Sequence, residues 1–185
     1  DGGSKNGHSQ FRNLKIYEGD RNKLSRITKP EAVLTIQDSS NSYTLSSYGG
    51  KTQDKATFSI SDDKTEIDII GNGWKKLDIN NYNITENTVL KFEFQSTAEA
   101  EIQGIGFDND DIINSGDSRR LFQVSGTQDW GIVEDDYTLG SGWQTYEVKV
   151  GEQFTGEFNY LTLANDDDVN SAVQSQFRNI SLYEM

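Results

Sequence analysis

Along most of this chain apolar and polar residues alternate with a period of two, the signature of strands that bury one face. The clearest run is 88–94, where Leu90, Phe92 and Phe94 fall on one side and Lys91 and Glu93 on the other. Val33-Leu34-Thr35-Ile36, Ala56-Thr57-Phe58-Ser59-Ile60 and Glu66-Ile67-Asp68-Ile69-Ile70 are β-branched or alternating, and the turn formers Ser61-Asp62-Asp63-Lys64-Thr65 separate the last two. Gly71-Asn72-Gly73 leads into a strand over 74–79, and further strands are predicted over 101–107, 120–124, 143–150, 160–163 and 177–183. No long stretch carries a helical period. Short strands at close spacing with polar turns predict an all-β fold, a two-sheet antiparallel β-sandwich of the jelly-roll kind.

One strand occurs twice. Ser9-Gln10-Phe11-Arg12-Asn13-Leu14-Lys15-Ile16-Tyr17-Glu18 returns as Ser175-Gln176-Phe177-Arg178-Asn179-Ile180-Ser181-Leu182-Tyr183-Glu184, identical at seven of ten positions with an offset of 166. A tandem array in which each module ends on this strand accounts for the repeat. Residues 1–19 then resemble the tail of a preceding copy, expected to dock on a sheet edge. Residues 20–30, polar and ending in the single proline, read as a linker, and 31–185 as the β-sandwich module.

Composition narrows the partners. With 30 acidic against 17 basic residues the 185-residue chain carries a net charge of −13, which excludes nucleic acid, whose binding depends on cationic contacts to phosphate. The same charge disfavours polyanionic glycans and favours neutral partners or cations. No segment has the apolar length of a membrane span. Cysteine is absent and the single histidine, His8, precedes the linker, so neither a Ser-His-Asp triad nor a histidine-based zinc site is expected.

Candidate chemistry sits at strand tips. Glu101-Ile102-Gln103-Gly104-Ile105-Gly106-Phe107 runs into Asp108, Asp110 and Asp111, and the strand at 160–163 runs into Asn165, Asp166, Asp167 and Asp168. Neighbouring carboxylates suit calcium, which takes six to eight oxygen ligands, so Asp108, Asp110, Asp111, Asp166 and Asp168 are candidate metal ligands, although their spacing is not that of an EF-hand. Solvated acidic turns are the plain alternative. Asn165 and Asp166 equally suit the orientation of sugar hydroxyls. Trp130 lies among turn formers in Gly126-Thr127-Gln128-Asp129-Trp130-Gly131, where its indole either faces a pyranose or anchors a loop, and Gln128, Asp129 and Tyr137 are candidate hydroxyl contacts. Trp74 and Trp143 each follow a glycine at a strand start, on the face opposite the alternating apolar residues, where core or rim packing is expected. Gly104 and Gly106 strip side chains from one strand face, to admit a bulky neighbour or a ligand. If the tips meet, Glu101–Asp111, Gln128–Trp130 and Asn165–Asp168 form one composite rim.

Tyr48-Gly49-Gly50-x-x-Gln53-Asp54, Gly71-Asn72-Gly73-Trp74-Lys75-Lys76, Glu101–Asp108, Phe122-Gln123-x-x-Gly126-Thr127-Gln128-x-Trp130-Gly131, Gly142-Trp143-x-x-Tyr146 and Asn165-Asp166 before Phe177-Arg178-Asn179 occur in this order. The series resembles β-sandwich carbohydrate-binding modules attached to bacterial, often marine, polysaccharide-degrading enzymes. The resemblance implies a secreted, non-catalytic module that binds a polysaccharide or oligosaccharide, often with calcium, beside an attached catalytic domain and neighbouring modules. It points to Gln128 and Trp130 for ligand contact and permits either role for Asp108 and Asp166. The competing expectations are a calcium-stabilised structural or adhesive spacer and a jelly-roll lyase or glycoside hydrolase.

Overall fold

A computed structural model describes residues 33–36, 41–134 and 137–185. The duplicated strand at 9–18, the linker and the expected docking of residues 1–19 lie outside these. Twelve strands follow one another: β1 (Val33–Ile36), β2 (Asn41–Ser47), β3 (Thr57–Ile60), β4 (Glu66–Ile70), β5 (Gly73–Ile84), β6 (Thr88–Ala98), β7 (Ile102–Asp108), β8 (Leu121–Ser125), β9 (Ile132–Val133), β10 (Gln144–Val148), β11 (Gly156–Asp166) and β12 (Gln174–Glu184). They form a seven-stranded sheet in the order β1-β2-β5-β11-β7-β8-β9 and a five-stranded sheet in the order β10-β6-β12-β4-β3. All pairings are antiparallel except that of β8 with β9. The protein is a two-sheet antiparallel β-sandwich, as the alternation predicts.

The inward faces meet in one apolar core. Leu90, Phe92 and Phe94 of β6 join Phe177 of β12, Leu77 of β5, Leu161 and Leu163 of β11, and Ile105 and Phe107 of β7. Phe92 stacks on Tyr146 and Phe94 meets Tyr137 edge-on, with centroids 5.2 and 4.9 Å apart. A buried polar cluster crosses this core. Gln103 Nε2 donates to the Gln174 carbonyl (2.8 Å), Ser175 Oγ donates to Asn165 Oδ1 (2.8 Å), and Asn165 Nδ2 donates to the Gly71 carbonyl (2.9 Å). These bonds tie the sheets together at one end, although Gln103 Oε1 is buried without a partner among the described residues.

Several motif residues are scaffold. Lys75 faces inward, 4% exposed, and its Nζ holds Asp54 at 2.6 Å, so Gln53-Asp54 and Trp74-Lys75-Lys76 meet in a buried ion pair. Asn179 adopts φ 52° at a bulge where β12 changes register against β6, a backbone state that asparagine tolerates. Its Nδ2 donates to Glu93 Oε1 (2.8 Å), while Arg178 pairs with Glu93 Oε2 (2.6 Å) and lies 4.0 Å from the Trp143 ring centroid. Burial alone would raise the Glu93 carboxyl; Asn179 and Arg178 outweigh it and hold the group below its usual value. Phe177-Arg178-Asn179 thus supplies a core ring, a stacked cation and a bulge.

Candidate functional site

The outward face of the seven-stranded sheet is built in two halves. In one half a second apolar cluster covers the strands: Trp74 (3% exposed) packs with Tyr48, Ile102, Leu121 and Ala164. Trp74 does lie opposite the inward Leu77 and Ile79, and burial comes from loops that fold over it. Trp130 is partly buried and meets Trp74 edge-on at 5.5 Å. Gln123 pins its loop by accepting from the backbone N–H groups of Trp130 (3.1 Å) and Gly131 (3.0 Å).

Strand polarity splits the expected composite rim. The start of β7 meets the end of β11, where Glu101 N–H donates to the Asp166 carbonyl (2.8 Å), and Gln128 N–H donates to the Glu101 carbonyl (3.0 Å). Glu101, Gln128, Trp130 and Asp166 therefore do gather. Asp108 lies at the other end of β7, opposite Tyr160, six residues and roughly 20 Å away along the strand. Asp129 is exposed beside Gln128. Tyr137 and Asn165 are buried and bonded within the fold. Tyr137 is 8% exposed, with its hydroxyl donating to the Ser96 carbonyl (3.1 Å), and Asn165 is fully buried between the sheets.

Each carboxylate expected as a calcium ligand has a partner within the chain. Asp108, 1% exposed, accepts from Arg120 (2.5 Å) and from the Tyr48 hydroxyl (2.8 Å), and Arg120 also holds Asp117 at 2.6 Å. The guanidinium thus stands where a cation between these acids would stand. Burial, then the bond to the Asp108 carboxylate, holds the Tyr48 phenol far above its ordinary value. Asp110 caps Ile112 N–H (2.8 Å), and Asp111 pairs with Lys76 (2.8 Å). At the other end Asp166 accepts from Trp74 Nε1 (2.8 Å) and Asp168 from Asn72 Nδ2 (3.0 Å). Among the described residues no three acidic or imidazole side chains converge on one point.

Burial pushes the Asp166 carboxyl upward; the Trp74 bond opposes this, and Asp168, Glu101 and Asp167 add to the rise. A raised carboxyl penalises the folded state above its folded pKa, and the penalty fades as pH falls through that value. Asp166→Asn keeps an acceptor for Trp74 and removes the charge. It is expected to raise the Tm by about 2–4 °C at pH 7, an advantage that calorimetry should find vanishing in acid.

In the other half of the face, strands β2, β5 and β11 leave a groove of about 430 Å³. Ser42, Thr44 and Ser46 line it from β2, Lys76, Asp78 and Asn80 from β5, and Tyr160 from β11. The register sets these positions: Ser46 pairs with Lys76, Thr162 with Lys76, and Tyr160 with Asp78, which brings the outward side chains of three strands into one patch. Lys76 Nζ lies 4.4 Å from the Tyr160 ring centroid and pairs with Asp111 at the groove's edge. This surface was not legible in the sequence. Asn41-Ser42-Tyr43-Thr44-Leu45-Ser46-Ser47 reads as polar turn, and its strand signal is only the two inward residues Tyr43 and Leu45.

No family model matches the chain, and no curated protein matches it. Solved structures similar to it include carbohydrate-binding modules. A family 29 module complexed with cellulohexaose shares 16% identity over 76% of this chain and 79% of its own, at a TM-score of 0.44. A further family 29 module shares 14% over 82% and 85%, at 0.46. The family 11 module of a cellulosomal cellulase of Clostridium thermocellum shares 13% over 76% and 88%, at 0.45.

Proposed function

We propose that this chain is a non-catalytic carbohydrate-binding module and that the groove across β2, β5 and β11 holds a neutral polysaccharide. The observation that carries this reading is the groove's lining. Hydroxyls from Ser42, Thr44 and Ser46, the Asn80 amide, the Asp78 carboxylate and the Tyr160 ring lie together on an open sheet face. Sugar chains are read in this way, with an aromatic ring against the apolar face of a pyranose and polar groups on its hydroxyls. Its volume falls in the range of small-molecule sites.

Charge supports a neutral chain. Among the described lining residues Lys76 is the one cation, and Asp111 already neutralises it, so an anionic polymer meets an acidic protein with no unpaired positive group in the groove. Binding rather than hydrolysis is supported by the single carboxylate among the described lining residues, Asp78, where glycoside hydrolysis takes a pair. The duplicated strand supports a place among tandem copies, secreted beside an enzyme domain, where linked modules raise avidity for a polymer.

Affinity electrophoresis on xylan, mannan, β-glucan and agarose, with alginate as an anionic control, tests the proposal. Retardation by at least one neutral polymer and none by alginate is expected. Tyr160→Ala should weaken that retardation about tenfold, the loss expected for a ring central to a binding surface. Unretarded migration in all four neutral polymers overturns it.

A further inference from the structure

Strand β5 breaks its own alternation at the groove. Leu77 and Ile79 belong to the core, and Tyr82 and Ile84 pack there too, although strict alternation from Ile79 would turn both of these outward. The switch is made at Asn80 and Asn81, both exposed, with φ 54° and 57°. Together with Ile79 they stand opposite a single residue of β11, Asn159, because Asp78 pairs with Tyr160 and Tyr82 with Phe158. The result is a bulge that keeps two successive asparagines out of the core.

Two left-handed residues in a row are costly for any side chain, and asparagine bears the state better than most. Glycine would reach the same backbone without that cost, so the chain keeps a side chain where the backbone favours none. Backbone strain of this kind gathers at ligand sites, held there by its surroundings. Here it is held from both strands. On the β11 side Asn159 N–H donates to Asn109 Oδ1 (3.0 Å) and Asn159 Nδ2 to the Asn109 carbonyl (2.9 Å). Within β5, Asn80 N–H donates to Asp78 Oδ1 (3.1 Å). That bond orients the carboxylate and leaves its second oxygen for a ligand. Asp78 and Asn80 line the groove beside Tyr160, whereas Asn81 does not line it.

We infer that Asp78 and Asn80 decide which glycan the groove accepts, by reading two free hydroxyls on neighbouring carbons of one sugar unit. The inference rests on the carbohydrate reading of the groove and names the class of chain it takes. A carboxylate only accepts, so one hydroxyl donates to Asp78. The Asn80 amide both donates and accepts, so it takes the neighbouring hydroxyl in either sense. A 1,4-linked pyranose chain keeps its 2- and 3-hydroxyls side by side. In a 1,3-linked chain the linkage consumes the hydroxyl between the other two, and no neighbouring pair is left. The groove therefore selects unsubstituted 1,4-linked neutral chains over 1,3-linked ones.

The test compares the parent chain, Asn80→Gly and Asn81→Gly by affinity electrophoresis on xylan and 1,4-linked mannan, and on laminarin as the 1,3-linked glucan, with the Tm of each chain recorded. Xylan or mannan is expected to retard the parent at least tenfold more strongly than laminarin does, the worth of about one net hydrogen bond. Asn80→Gly keeps the left-handed backbone and removes the amide. It should lose about tenfold in retardation with no fall in Tm, while Asn81→Gly binds and melts like the parent. A parent that no neutral polymer retards overturns the carbohydrate reading and this inference with it. Retardation by laminarin equal to that by xylan and mannan overturns the inference alone, as does an Asn80→Gly chain that binds like the parent. Equal losses of binding in Asn80→Gly and Asn81→Gly show that the shape of the bulge matters rather than the Asn80 amide, and overturn it as well.

Discussion

Arg120→Met is expected to be among the most destabilising single substitutions in this sandwich, at about 3–5 kcal/mol near neutral pH. The guanidinium lies 2.5 Å from Asp108 and 2.6 Å from Asp117, whose side chains are 2% and 6% exposed, while Arg120 itself is 29% exposed. Methionine fills similar volume but leaves two buried carboxylates facing each other with no cation. The fold around them would loosen as a unit, because Asp108 holds the Tyr48 hydroxyl and Asp117 accepts from Asn114 N–H (2.6 Å), so the loops that cover Trp74 hang on this cluster. Burial already raises the Asp117 carboxyl in the parent; Asn114 and Arg120 oppose it and the Asp108 charge adds to it. Without Arg120 the folded pKa of Asp117 rises further. The deficit is present above that pKa and shrinks as pH falls towards the ordinary carboxylate value of about 4. Urea denaturation at pH 7 and at pH 5 measures both parts. A deficit that stays constant or grows on acidification contradicts the assignment.

Gly104→Ala is the second large effect. An added Cβ there would strike the Phe122 carbonyl oxygen and stand 3.2 Å from Gln123 Cα; at Gly106 it would stand 2.7 Å from Leu121 Cα. Both obstacles are backbone of β8, which pairs with β7 at Gly104↔Gln123 and Gly106↔Leu121, so no side-chain rotation relieves them. The expected cost is about 1–3 kcal/mol, with a fall in Tm of several degrees and faster hydrogen exchange in β8. An unchanged Tm would mean that β8 shifts freely. The glycines admit a neighbour, and the neighbour is a strand backbone rather than a bulky side chain or a ligand.

The period-two pattern sufficed wherever a strand had one wet face. Leu90, Phe92 and Phe94 against Lys91 and Glu93 put β6 in the sheet, and the turn at 61–65 separated β3 from β4. Alternation weakened where inward residues were few. β2 offers only Tyr43 and Leu45, and β9 is two residues long, so both were missed. β11 extends to Gly156, ahead of the expected start at Tyr160, because a register shift between Phe158 and Tyr160 breaks its pattern. The groove depends on β2 and on the outward faces of β5 and β11, and was therefore invisible.

By itself the sequence determined the all-β class, most strand positions and the acidic charge that disfavours polyanions, because these depend on local period and composition. Only the tertiary structure decided which ends meet. The glycine-rich β7 spans the sandwich from Ile102, next to Glu101, to Asp108. Antiparallel pairing therefore brings Asp166, Gln128 and Trp130 to its start and leaves Asp108 at the far end with Arg120. Pairing partners and register are long-range choices settled by the shared core, which is why the expected rim divided and the sheet-face groove emerged in its place.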